Sequence, residues 1–209
     1  REKSERMQLL NGSWKFQWYP CIEDVPQDFF APDFYYYGMC NIDVPGCWQT
    51  QGYDHYHYVG AEHIMPIDPP HVPADNPCGT YITDFEYEPG ENSVAELVFE
   101  GVDACFYVWV NGTFVGYSES SHAISIFDIS NVVKNGKNRL AVLNLKWCTG
   151  TYLEIQDKWR MTGIFRDVYI LKRPSFRLKD FYTRQSISED YKNAVLQVEL
   201  LSEGEALHG

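Results

Sequence analysis

The sequence predicts an all-β sandwich, and three observations support that expectation. Over many short segments, hydrophobic and polar residues alternate at the two-residue period of a half-buried strand. Two strand-forming runs meet at Asn111-Gly112, a dipeptide that tolerates positive φ at both positions of a two-residue hairpin turn. No segment of about ten residues or more carries a convincing amphipathic helical stripe. With 209 residues, 44% hydrophobic and 16% aromatic, the chain has enough apolar content to offset the entropy of ordering. Its length suits one large domain, or one domain and part of another.

In residues 13–18, Trp14, Phe16 and Trp18 share one face and Ser13, Lys15 and Gln17 the other, which marks a strand. The proline-rich stretch 66–77 reads as an ordered loop crossing a sheet end. Tyr81, Thr83, Phe85 and Tyr87 alternate with Asp84 and Glu86, giving another strand. Residues 105–110 and 113–117 form the arms of the hairpin. Asn135-Gly136-Lys137-Asn138 turns the chain into residues 139–147, where Ala141, Leu143, Leu145 and Trp147 lie on one side. Lys172-Arg173-Pro174 closes a strand over 168–171, and a fresh pattern of two strands, 176–183 and 194–200, follows around Ser188-Glu189-Asp190. Two strands alone form no stable sheet. The expectation is therefore a boundary near Pro174, with residues 1–174 as one domain and 175–209 as the truncated start of a second. No internal repeat or low-complexity segment is present.

Lys and Arg total 17 against 29 Asp and Glu, for a formal charge of −12, and the basic residues are scattered. This composition argues against nucleic acid or an anionic membrane as the main partner. Residues 1–6 are charged with no apolar run behind them, so neither signal peptide nor anchor is expected, and the missing initiator Met suggests residues removed upstream. The six cysteines are widely spaced with no Cys-x-x-Cys pair, which predicts free thiols in a reducing, cytoplasmic setting. Two sequons occur at Asn11 and Asn111, and hairpin geometry accounts better for the second. His55, His57, His63 and His71 cluster along one stretch, but the interleaved tyrosines and lack of a nearby cysteine favour a polar loop over a metal site.

The run 152–168 packs charged and aromatic residues together where neither helical nor strand periodicity asks for them, and so reads as a site. It includes Tyr152, Gln156-Asp157-Lys158-Trp159-Arg160-Met161 and Gly163-Ile164-Phe165-Arg166-Asp167, and is preceded by Trp147-Cys148-Thr149-Gly150-Thr151. Further motifs stand upstream in order: Leu10-Asn11-Gly12-Ser13-Trp14-Lys15-Phe16; Val44-Pro45-Gly46-Cys47-Trp48-Gln49 leading to Gly52-Tyr53-Asp54; Pro69-Pro70-His71-Val72-Pro73 to Asn76-Pro77; and Val110-Asn111-Gly112. Together, from about Leu9 to Pro174, they resemble the N-terminal domain of family 2 glycoside hydrolases of the β-galactosidase type.

That resemblance implies a jelly-roll β-sandwich of galactose-binding-domain type, followed by the first strands of an immunoglobulin-like β-sandwich. It implies a parent enzyme that hydrolyses terminal β-D-galactosides with retention, its catalytic glutamates lying downstream of these residues. The fragment alone is expected to be inactive, and the parent to be a homo-oligomer. By resemblance, Asp157 is the aspartate at the rim of the active site that reaches galactosyl hydroxyls and a Na⁺ shared with other domains, while Mg²⁺ is expected in the catalytic domain. The chemistry suits the residue: a carboxylate accepts from adjacent sugar hydroxyls and is a hard oxygen ligand for a cation. Trp159 or Tyr152 can cover an apolar sugar face, and Arg160 can hold Asp157 through a bidentate pair.

One departure stands out. The family usually offers an asparagine in a Tyr-Thr-Asn segment after Gly-Tyr-Asp, whereas this chain reads Tyr58-Val59-Gly60-Ala61-Glu62-His63. Either Glu62 or His63 takes over the contact, or the preferred glycoside differs. Glu119, Glu154 and Asp167 read as a solvated face or Arg partners in preference to a glycosidase pair. Two rival readings remain: a free-standing carbohydrate-binding module, and a structural domain for oligomer assembly.

Overall fold

The computed structural model describes residues 4–60, 62–90 and 93–204. Among these, the first strands are β1 (Met7–Leu9), β2 (Gly12–Tyr19), β3 (Cys40–Val44), β4 (His57–Val59), β5 (Cys78–Tyr87) and β6 (Ser93–Phe99). Next come β7 (Val102–Asp103), β8 (Cys105–Val110), β9 (Thr113–Ser118), β10 (Ser125–Asp128) and β11 (Gly136–Leu145). The last are β12 (Lys158–Arg160), β13 (Gly163–Ile164), β14 (Val168–Pro174), β15 (Arg177–Ile187) and β16 (Ala194–Glu203). Helical structure among the described residues is confined to short 3₁₀ turns, including Thr149–Tyr152.

Two antiparallel sheets make a jelly-roll sandwich: a four-stranded sheet in the order β1-β14-β6-β10 and a six-stranded sheet in the order β3-β2-β5-β11-β8-β9. Between them lies the core, where alternate residues of each strand meet: Trp14 and Phe16 from β2, Tyr81 and Phe85 from β5, Leu97 and Phe99 from β6, Phe106 and Val108 from β8, and Leu140 and Val142 from β11. The β8–β9 hairpin turns at Asn111 (φ 51°) and Gly112 (φ 82°), the positive pair that a two-residue turn demands. The Asn111 amide donates to the Val132 carbonyl and to Asn138 Oδ1, both at 2.8 Å, so the second sequon serves the fold.

The six-stranded sheet is covered on both faces, where alternation alone had predicted one. Ile82, Ala141 and Leu143 point away from the sandwich and are buried beneath Phe29, with Phe30, Phe34, Tyr36 and Met39 packed alongside. Phe30 stacks on Trp109 with 5.0 Å between centroids and 7° between planes. The segment that supplies this cover has no regular period, so only its aromatic content hinted at its burial.

The core also anchors the loop that leads to the site. Phe16 packs against Trp48, Tyr53 and Tyr81, and the Trp48 indole donates to the Tyr81 hydroxyl at 2.5 Å. Complete burial pushes the Tyr81 phenol far above its ordinary pKa, so it stays neutral and able to accept. Residues 46–48 then run beside 162–164: the Gly46 N–H donates to the Ile164 carbonyl at 2.7 Å and the Trp48 N–H to Thr162 at 2.8 Å. Gly163 sits at φ 132°, and a Cβ there would lie 2.8 Å from the Gly46 carbonyl oxygen. This crossing therefore requires glycine.

All six cysteines are free. β15 and β16 pair with each other as a separate two-stranded sheet, with Phe181, Tyr182, Leu196 and Leu200 exposed. Arg177 reaches back to Glu96 at 3.0 Å.

Candidate functional site

Beyond β11 the chain is tied down residue by residue. The Lys146 N–H donates to the Pro77 carbonyl, and Trp147 exchanges bonds with the Asn76 side chain, donating to Oδ1 at 2.9 Å and accepting from the amide at 3.0 Å. Cys148 begins the 3₁₀ turn, its N–H bonded to Thr151 Oγ1 at 3.1 Å. The Tyr152 hydroxyl lies 2.5 Å from the His71 carbonyl oxygen and accepts from the Asp68 N–H at 3.2 Å. Tyr152 is thus a strut for the proline-rich loop. Glu154 accepts from the Ser121 hydroxyl at 2.7 Å and its N–H at 3.1 Å. Glu119 accepts from Thr149 and Tyr117, and Asp167 from Asn11, so of the two expectations, a solvated face or Arg partners, hydroxyl and amide donors replace the second.

The turn delivers the chain into β12, which pairs antiparallel with β4: Lys158 opposite Val59, Trp159 opposite Tyr58, and Arg160 opposite His57. Side chains alternate across this ribbon. On its outer face, the Tyr58 hydroxyl donates to Asp157 Oδ1 at 2.6 Å and the Tyr58 ring lies 5.4 Å from Trp159, which is 55% exposed. The bond to Asp157 raises the Tyr58 pKa, because ionising the phenol would remove the donor and set two anions together. Tyr56 meets Trp159 edge to face at 6.0 Å, and Thr50, Tyr56, Trp159 and Met161 frame an apolar hollow of about 430 Å³. Carboxylate and aromatic shelf therefore stand side by side in the open.

The inner face holds the ribbon in place. Arg160 is only 7% exposed, and its guanidinium donates to the Gln156 carbonyl at 3.2 Å instead of making the expected bidentate pair with Asp157. It lies opposite inward-turned His57, which takes it off the face that carries Trp159 and Tyr58. Lys158 pairs with Asp103 at 3.7 Å. Burial raises the Asp103 carboxyl to about 6, with Lys158 pulling the other way.

Among the described residues, Lys146 forms the most deeply buried ion pair. It is paired with Asp54, the two side chains being 5% and 6% exposed, while Gln49 Nε2 donates to the same carboxylate at 3.1 Å. Asp54 holds a left-handed backbone (φ 60°), a conformation an aspartate tolerates better than most residues. The Lys146 ammonium also sits 3.0 Å from His57 Nε2. An ammonium can only donate, so Nε2 accepts and the imidazole carries its proton on Nδ1. Burial, and then Lys146, hold the His57 pKa below its ordinary value. Sequence reasoning used Asp54 only as a motif landmark and missed this cluster, because Lys146 reads as one more polar position on a strand.

Glu62 and His63 are exposed in the loop after β4, next to Ala61, which lies outside the described residues. The His63 ring is 6.4 Å from Tyr152. No hydrogen bond joins Glu62 or His63 to Asp157 among the described residues. Asp157 offers hard carboxylate oxygen, but no group of three or more His, Cys, Asp or Glu gathers for a metal ion among the described residues. It fits as one donor of a larger cation shell and not as a whole one.

A jelly roll that presents a carboxylate beside exposed aromatic rings at its loop end matches a known class. The family model described as "Glycosyl hydrolases family 2, sugar binding domain" matches residues 7–174, and the chain belongs to that family. Among curated relatives, it is 44% identical over 201 residues to a β-galactosidase of Actinobacillus pleuropneumoniae, covering 96% of this chain and 20% of that protein. It is 41% identical over 210 residues to a β-galactosidase of Pectobacterium atrosepticum, covering 98% of this chain and again 20% of the relative. The chain thus spans about one-fifth of the length of the relatives it matches. Among solved structures, a β-glycosidase from Bacteroides vulgatus superposes with a TM-score of 0.67 at 19% identity, covering 96% of this chain and 24% of that one. A β-glucuronidase from Ruminococcus gnavus gives 0.67 at 20%, covering 97% and 36%. At those identities the two structures establish the shared fold.

Proposed function

We propose that this chain is the first domain of a retaining β-galactosidase, and that it lends Asp157 and Trp159 to the wall of a galactoside pocket completed by the rest of the protein. The observation that carries the reading is Asp157 itself: an exposed carboxylate, set by Tyr58, beside a half-open indole. The identity to β-galactosidases supports the choice of sugar.

In this reading Asp157 accepts hydrogen bonds from adjacent galactosyl hydroxyls, and Trp159 covers the apolar face of a sugar ring. Glu62 or His63 takes the hydroxyl contact that an asparagine provides elsewhere in the family. Arg160 acts from behind by fixing the Gln156 carbonyl and so the turn before Asp157. The same carboxylate supplies one oxygen to a bound Na⁺, whose other ligands come from outside this chain; when bound, the ion offers a fixed positive charge for a sugar hydroxyl. The acid and nucleophile of the retaining reaction also lie outside these residues, and a Mg²⁺ belongs with them. Residues 175–209 open the following immunoglobulin-like domain, and the parent is a cytoplasmic homo-oligomer.

The test is hydrolysis of an aryl β-galactoside by the full-length protein and its Asp157→Ala variant, with glucoside and glucuronide controls. The expected result is preference for the galactoside and a loss of kcat/KM of about a hundredfold in the variant, roughly 3 kcal/mol of transition-state stabilisation. Unchanged kcat/KM would refute the role of Asp157. A parent that ignores galactosides would refute the substrate.

A further inference from the structure

Behind the β4–β12 ribbon lies an open cavity of about 470 Å³ that the preceding reading does not use. Its position follows from strand geometry. His57 and Tyr58 are consecutive, so their side chains leave opposite faces of β4. Tyr58 reaches Asp157, whereas His57 turns to the Lys146 ammonium and lines the cavity with Trp18, Trp147, Asp54, Lys146 and Asp75. The volume falls within the range of small-ligand pockets, roughly 300–1,000 Å³.

The lining specifies a ligand class. Trp18 and Trp147 are only partly buried and supply two indoles, surfaces suited to the C–H face of a sugar ring. The Trp18 Nε1–H is buried without a hydrogen-bond partner, an unused donor on a residue that borders the space. Lys146 neutralises Asp54, and His57 is held neutral by burial and by Lys146, leaving its Nδ1–H as a donor. His55 also stands on the wall, and Asp75 at the exposed rim is the lining carboxylate with no ion-pair partner among the described residues, so it disfavours anions such as phosphates and uronic acids. Aromatic surfaces, a carboxylate acceptor and neutral donors together match a neutral polyhydroxylated ring.

We propose that this cavity is a saccharide-binding subsite for a neutral hexose, with the ring against the indoles and its hydroxyls on Asp75 and His57. It lies across the ribbon from Asp157 and fills independently of it. The inference does not rest on the hydrolase reading.

The test is saturation-transfer NMR on the full-length protein with D-galactose and D-glucose as probes at about 10 mM, where weak sugar binding of millimolar Kd is visible. The measurement is made in the Asp157→Ala background, to which Trp147→Ala or the exposed Asp75→Ala is added. Expected is saturable transfer retained in Asp157→Ala and weakened about tenfold by either added substitution, as loss of one stacking or charged hydrogen-bonding contact implies. Asp75→Ala keeps the test decisive should Trp147→Ala fail to fold. Absence of transfer in Asp157→Ala, as when the rest of the protein fills the space, would overturn the proposal, and so would transfer that neither added substitution weakens. Unchanged galactoside hydrolysis in Asp157→Ala would refute the reading of Asp157 while leaving the subsite standing.

Discussion

Replacing Lys146 with Met strands the Asp54 carboxylate. Both side chains are almost fully buried, and the donor that remains to Asp54 is Gln49 Nε2 at 3.1 Å. Removing one partner of a buried pair costs about 3 to 5 kcal/mol, mostly because the survivor stays desolvated. The adjoining cavity lets water reach the carboxylate, which places the loss at the lower end, about 3 kcal/mol. In a chain of this size each kcal/mol lowers Tm by about 2–4 °C, so the expected drop is about 6–12 °C. Asp54→Asn, which keeps a residue type tolerant of φ 60°, removes the stranded charge, and the double variant should recover about half of the loss. Urea denaturation of the three variants, followed by tryptophan fluorescence, measures this coupling. If Lys146→Met lost less than about 1 kcal/mol, or if the double variant lost the sum of the singles, the pair would not be the internal brace described above.

Phe16→Ala should destabilise the chain by about 3–5 kcal/mol in the same assay, since its ring contacts Trp48, Tyr53 and Tyr81 at the centre of the core. Gly163→Ala should cost about 2 kcal/mol or more in thermal denaturation, because both φ 132° and the Gly46 carbonyl oppose a Cβ. For Asp103 the folded pKa of about 6 exceeds the 3.8 of a free aspartate, so the native state binds the extra proton between these pH values and stability falls as pH rises through them. The fall should total about 3 kcal/mol, and urea titrations across about pH 4–7 should show it flattened in Asp103→Asn. Tyr58→Phe removes the donor to Asp157 but not the carboxylate, so kcat/KM of the full-length protein for a galactoside should fall by about three- to tenfold, less than in Asp157→Ala.

The elements with a strict period were the legible ones. Trp14 and Phe16 declared the inner face of β2, and Asn111-Gly112 the β8–β9 hairpin, because both signals are local and each has one physical solution. The cover formed by Phe29, Phe30 and Tyr36 on the far face was not legible, since irregular backbone leaves no period to read. The run 152–168 stood out as a site through its composition, yet composition could not say which way each side chain turns. Trp159 faces out and Arg160 faces in because they are neighbours on a strand, and that strand exists only through pairing with residues a hundred positions earlier. The Asp54–Lys146–His57 cluster was hidden for the same reason. Asp54 and His57 stand three residues apart, but Lys146 comes from about ninety positions later, and nothing local announces that it will meet them.

The β4–β12 ribbon is joined to the sandwich by the polar contacts of Lys158 with Asp103 and of His57 with Lys146, while the hydrophobic core closes without its outer residues. In the proposed reading of Asp157 and Trp159, recognition and folding are thereby written in separable parts of the molecule. Tyr58, Glu62 and His63 are exposed, so they can change chemistry without opening a cavity in the core. The ribbon can thus serve as an exchangeable cassette, so that transplanting it between related jelly rolls would carry selectivity across while leaving the recipient's melting behaviour its own.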